Sequence, residues 1–122
     1  MHRFDFERWL DSWGRAWESL DAEAFVPLLA ADVVWLRDPF AVPVTGAEAA
    51  RESLVEGLAG VREIAYAWEF LGFGDSRGVA HWEATITPRE GPPSLFDGVL
   101  VGDFDDAGQC RALREWWNRA DS

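Results

Sequence analysis

Three side chains in this 122-residue sequence have the types and neighbours that acid–base chemistry needs: Asp38, Glu115 and His81. Asp38 lies in the dipeptide Asp38-Pro39, just after an apolar run. A carboxylate set against apolar walls can have its pKa brought toward the operating pH and take up a proton. The same dipeptide also ends strands and starts turns with no catalytic purpose. Glu115 shares one face of a strand-like segment with Arg111, Leu113 and Trp117, while Ala112, Arg114 and Trp116 take the other. Between two apolar neighbours a carboxylate is desolvated and its pKa rises. An ion pair with Arg111, or a hydrogen bond from an indole N–H, would explain it equally well. His81 lies where two readings compete. Periodicity turns the apolar Ala80, Trp82, Ala84 and Ile86 inward and sends His81, Glu83 and Thr85 outward. With Asp38, an inward His81 would instead form a carboxylate–imidazole pair across a cavity.

The walls for such chemistry come from eight tryptophans, accompanied by a single tyrosine. Each indole brings roughly 150–250 Å² of surface and an N–H that needs a partner when buried. A chain this short rarely needs so many to fill a core. Trp13, Trp17, Trp35 and Trp117 are therefore expected to wall a pocket for a small organic molecule.

The elements that must hold these residues follow from periodicity. Phe6, Leu10, Trp13, Trp17 and Leu20 mark one face of a first helix, which Trp9 and Ala16 widen. Asp21 is suited to cap a second, short helix carrying Phe25, Leu28 and Leu29, which Pro27 should kink or shorten. Val33 to Leu36 reads as a short strand. Thr45 and Glu48 have capping-box spacing for a third helix, with Ala50, Leu54 and Leu58 inward and Gly60 at its end. The pattern then turns to strands over roughly residues 62–73, 77–88, 95–104 and 109–119, separated by turn signals. The expected class is α+β: three N-terminal helices packed on a strongly curved antiparallel sheet, cone-shaped, with an internal pocket open at one end.

Composition removes several functions. Eleven basic residues, all arginine, stand against twenty-two acidic ones, a net charge of -11. This disfavours nucleic acid and, more weakly, polyanionic substrates. Without lysine there is no lysine Schiff-base chemistry. His2 and His81 lack the clustered spacing of a zinc site, and no nucleophile elbow or Walker loop occurs, so no metal or cofactor is expected. Cys110 is alone, so no internal disulfide forms and a reducing compartment is expected. The first eight residues read as neither signal peptide nor membrane span, making a cytoplasmic, soluble protein the expectation.

Three stretches carry a resemblance: Trp17 to Asp21 continued by Leu29 to Trp35; Arg37-Asp38-Pro39-Phe40 followed by Thr45-Gly46; and Phe104 to Gly108 continued by Arg114 to Trp117. Together they resemble the nuclear transport factor 2-like superfamily, nearest its SnoaL-like branch, with ketosteroid isomerase a cousin. The resemblance spans nearly the whole chain and implies a single domain over residues 1–122. It implies that Asp38 matches the isomerase's general base and that the Leu113 and Trp117 face lines the pocket. For His81 it favours the inward alternative that periodicity disfavours. Beyond the four indoles, the lining it suggests takes Phe25 and Leu29 from the second helix and Phe40 from the lip loop. Leu54 and Leu58 join from the third helix, and Trp68, Leu100 and Leu113 from the strands. The isomerase's oxyanion donors are missing, because Trp13 and Leu100 stand near their positions and leucine donates nothing. Nor do Asp97, Arg111 and Asp38 make a convincing match to the superfamily's epoxide-hydrolysing trio.

Three functions remain open. One is acid–base catalysis of the isomerase, cyclase or dehydratase kind on a hydrophobic small molecule. Another is non-catalytic binding of such a molecule. The last is assembly, with an apolar sheet face pairing into a homodimer. Fold likeness by itself transfers no activity.

Overall fold

A computed structural model describes residues 1–120. Helix α1 (Arg3–Ser19) comes first, followed by a short 3-10 helix (Ala22–Leu28) and strand β1 (Leu29–Leu36). Next come the two-residue strand β2 (Val44–Thr45) and helix α2 (Ala47–Leu58). Four long strands finish the described chain: β3 (Val61–Gly74), β4 (Arg77–Pro88), β5 (Ser94–Phe104) and β6 (Cys110–Ala120). Three helices on a six-stranded sheet that curls without closing make this an α+β fold. No described helix is long and apolar enough to cross a membrane.

The sheet order is β2-β1-β6-β5-β4-β3. Every ladder is antiparallel except β1 with β6, which is parallel, so the sheet is mixed rather than antiparallel throughout. The cause is chain order: β1 arrives from the helical layer and adds to the free edge of the meander instead of being joined to β6 by a hairpin. Register shifts interrupt the β3–β4 and β5–β6 ladders, and such bulges bend and twist strands. The sheet therefore has a concave face for the helices.

Strand alternation decides what faces that hollow. On β3, Ile64, Tyr66, Trp68 and Phe70 turn inward while Glu63, Ala65, Ala67 and Glu69 are exposed. On β4, Ala80, Trp82 and Ala84 are buried, so the side set by periodicity is the inner one and His81 faces outward. The tight β3–β4 turn needs positive φ at both central residues, and Asp75 and Ser76 supply it at 53° and 59°.

Two local expectations changed. Thr45 does not cap α2: its backbone pairs with Val34 in β2, and Gly46 takes the cap position at φ 93° with no side-chain cap. Leu29 belongs to β1 rather than to the second helix, whose Pro27 confines it to a tight 3-10 form; Asp21 does cap that helix through the Glu23 N–H at 3.0 Å.

Helix α1 fills one half of the concave face. Phe6, Leu10 and Trp13 are fully buried there. Trp9 stacks on Trp13 with 4.9 Å between centroids, and Trp13 meets Phe25 and Trp35 edge-on at 5.1 and 5.5 Å. Two glycines allow this approach: a Cβ on Gly78 would collide with the Phe6 ring, and one on Gly14 would reach within 2.9 Å of Tyr66. Half of the cone is thus packed solid.

Candidate functional site

The other half, beneath α2, is hollow. A cavity of about 480 Å³ lies between Leu54, Gly57 and Leu58 of α2, the concave sheet, and the loop after β1. That is within the roughly 300–1,000 Å³ of small-molecule sites. Its walls are mostly apolar: Trp17 of α1, Val61 and Ile64 of β3, Trp82, Ala84 and Ile86 of β4, and Phe96 of β5. The titratable or charged side chains on the lining are Arg37, Asp38, Tyr66 and Glu115.

Glu115 is 7% exposed, on the inward face of β6 between Leu113 and Trp117. Its Oε2 accepts a 2.8 Å hydrogen bond from the Trp35 indole N–H. Burial pushes its pKa up to about 7, with the Trp35 hydrogen bond and the Arg37 charge pulling the other way. The carboxyl can therefore hold or release a proton near neutral pH.

Arg37 continues the inward alternation of Val33 and Trp35 past the end of β1. Its guanidinium lies 4.7 Å over the Trp35 ring and donates one hydrogen bond, 3.1 Å to Ser53 Oγ of α2. Desolvation lowers its pKa, opposed by the charges of Glu115 and Asp38. The loop behind it is tied to β6 by the Trp117 indole N–H, which donates to the Arg37 carbonyl at 2.9 Å.

Tyr66 stacks on Trp82 with rings 5.8 Å apart and 10° from parallel. Its hydroxyl and the indole N–H groups of Trp13 and Trp82 are buried without a hydrogen-bond partner. Burial foremost, then the Glu115 charge, holds the Tyr66 pKa well above its ordinary value; the Trp13 indole opposes this from outside hydrogen-bond geometry. Asp38 lines the cavity at its lip, where Oδ1 accepts the Phe40 N–H at 2.9 Å in a local turn.

Of the residues singled out from sequence, Asp38, Glu115, Trp17, Leu54, Leu58 and Trp117 share this cavity. Others lie elsewhere. Trp13, Phe25, Leu29, Trp35, Leu100 and Leu113 are in the closed core, 0–2% exposed, in one buried cluster where Trp13 and Trp17 of α1 meet Phe25 and Trp35. Trp68 is half-buried against the same core, near Gly14. Phe40 is 98% exposed, swung outward by the Asp38 turn. His81 is on the convex face, too, and cannot form the cross-cavity pair with Asp38: its Nε2 is 2.9 Å from Asp97 and its Nδ1 is 3.5 Å from Glu69. Asp97 first, with smaller help from Glu69 and Glu83, raises the His81 pKa.

The convex face also holds a donor set that spacing did not reveal. His81, Glu83 and Asp97 place ligand atoms within 4.8 Å of one another. Asp97 arrives from the neighbouring strand, opposite Glu83, so linear spacing conceals it. Both imidazole nitrogens already face carboxylates, which favours the imidazolium over a metal ligand.

Arg37, Tyr66 and Trp82 were missed as site residues. Arg37 and Tyr66 carried a signal: an arginine in step with two buried positions of β1, and a lone tyrosine among the inward residues of β3.

The family model described as a SnoaL-like domain matches residues 6–113. No curated protein matches the chain. Among solved structures, a conserved protein from Planctomyces limnophilus DSM 3776 is similar at a TM-score of 0.82 and 18% identity, with 96% of each chain covered. SalBIII, described as an epoxide hydrolase/cyclase-like enzyme in pyran ring formation in the polyether salinomycin, is similar at 0.79 and 15% identity. That likeness covers 92% of this chain and 89% of SalBIII. At such identities the two neighbours establish a shared fold and nothing more.

Proposed function

The chain belongs to the SnoaL-like domain family, within the nuclear transport factor 2-like superfamily, and from that premise we propose that its cavity performs acid–base chemistry on a hydrophobic small molecule. The reaction is of the isomerase, cyclase or dehydratase type. One observation carries the reading: a carboxyl group buried in an apolar hollow, with its pKa pushed up to about 7. A general acid or base works best when its pKa lies near the operating pH. In this reading Glu115 carries the proton and Asp38 is the second carboxylate at the lip. Arg37 offsets negative charge that develops on the substrate, and Trp17, Leu54, Leu58 and Trp117 hold its apolar body. His81, on the convex face, has no part. SalBIII, the neighbour described as cyclase-like, is consistent with this chemistry.

The test uses a simple enolisable probe, 1-(2-naphthyl)propan-2-one in D2O. The protein is expected to speed exchange of the probe's α-protons, with a rate that rises with pH through about 7. Glu115→Gln should abolish the acceleration but leave probe quenching of tryptophan fluorescence in place. Exchange at the solvent rate, with quenching intact, favours passive binding instead.

The homodimer is part of the same proposal. The pairing surface would centre on Trp116, 41% exposed on the convex face of β6 with the Arg114 guanidinium over its ring. Sedimentation equilibrium distinguishes a dimer from a monomer, and Trp116→Glu should shift a dimer toward monomer.

A further inference from the structure

Among the described residues, Arg37 is the one cation on the cavity lining. Among the described residues no carboxylate comes within salt-bridge distance of it. A guanidinium presents several N–H donors in a rigid fork, and here a single donor is used, on Ser53. Removing a charge from water without pairing it is costly, so a desolvated arginine normally meets an anion. Neither nearby carboxyl fills that role. Glu115 is turned to the Trp35 N–H and Asp38 to the backbone of its own turn, and neither stands within salt-bridge distance of the guanidinium. The guanidinium is nonetheless held in place, by Trp35 beneath it and Ser53 beside it. Holding a free fork rigid at the wall of an apolar hollow is how a planar carboxylate is recognised.

We propose that the ligand of this cavity is a flat, apolar carboxylic acid whose carboxylate is held by the free edge of the Arg37 guanidinium. This rests on the reading of the hollow as a ligand site. The stacked Tyr66 and Trp82 rings offer a flat wall to the ligand body. A single carboxylate suits the charge inventory as well, since one cation lines the cavity and the whole chain is at -11, which repels polyanions. The charged groups that would face the bound carboxylate are Arg37, Glu115 and Asp38, with the Tyr66 phenol neutral. A ligand anion beside Glu115 opposes its ionisation, so binding at pH 7 is accompanied by proton uptake.

The experiment compares 2-naphthoate with 2-naphthamide by isothermal titration calorimetry at pH 7, in two buffers of different ionisation enthalpy. The acid is expected to bind tighter than the amide by roughly ten- to a hundredfold, the range for a charge-assisted hydrogen bond. Its apparent enthalpy should differ between buffers in the sense of proton uptake. Arg37→Met should weaken the acid far more than the amide and so remove the preference. If that variant does not fold, Arg37→Lys, which keeps the charge and loses the fork, should still narrow the gap. Equal affinity of acid and amide for the unaltered protein overturns the proposal and leaves the cavity a ligand site. Failure of both probes to bind overturns the proposal together with the reading it rests on.

Discussion

Replacing Glu115 with glutamine should stabilise this protein in alkaline solution and do nothing for it in acid. The buried carboxyl has its pKa moved from 4.5 to about 7 by desolvation. Below pH 4.5 the group is protonated in both folded and unfolded chains and contributes no pH dependence. Between these two values the folded chain keeps a proton that the unfolded chain releases, so stability falls as pH rises. Above about 7 the full penalty is present. At 1.36 kcal/mol per pKa unit the shift corresponds to about 3 kcal/mol. Glutamine is nearly the same shape, can accept the Trp35 N–H through its amide oxygen, and never ionises. Urea midpoints of both proteins from pH 4 to pH 9 give the difference directly, and contributions common to both cancel. The variant should match the parent near pH 4 and exceed it by about 3 kcal/mol at pH 8, on the order of 10 °C in Tm. A constant difference across that range would refute the idea that burial strains this carboxylate.

Other perturbations test neighbouring parts of the account. Gly78→Ala places a methyl group against the fully buried Phe6 ring and should cost about 1–3 kcal/mol in urea unfolding, whereas Gly72→Ala, with open space around it, should be mild by comparison. Asp97→Asn removes the largest cause of the raised His81 pKa, so NMR titration of the ring should show its midpoint fall. Because His81 is on the convex face, that change should leave quenching of tryptophan emission by naphthyl probes unaltered. Arg37→Met deletes a charge that lowers the Glu115 pKa, and the carboxyl should then titrate above about 7.

The four long strands were legible because alternation and turn chemistry agreed at each of them. The Gly74 to Ser76 turn and the Asp105 to Gly108 turn lie where the pattern put them, the latter held by Asp105 Oδ1 accepting the Ala107 and Gln109 N–H groups. Alternation also put Glu115 on one face with Leu113 and Trp117, and the family resemblance made that face the inner one. What it could not give was the third dimension. Which indoles plug and which enclose depends on how α1 settles into the sheet. Trp13 and Trp35 went to the solid half, while Trp17, Trp82 and Trp117 border the hollow. Thr45 misled because a two-residue ladder with β1 took its backbone before it could cap α2. The His81 cluster spans three strands, and only register brings Glu69 and Asp97 to the same imidazole.

Central to the proposed chemistry is a hollow that brings a buried carboxyl to a pKa of about 7, where it holds or releases a proton near neutral pH. Carbon-13 NMR of selectively labelled glutamate, assigned through Glu115→Gln, reads that proton directly. The Glu115 side-chain carboxyl carbon should titrate with a midpoint near 7. A midpoint at the ordinary glutamate value of 4.5 would mean that water or a counter-charge reaches this group, and the proposed proton carrier would be gone.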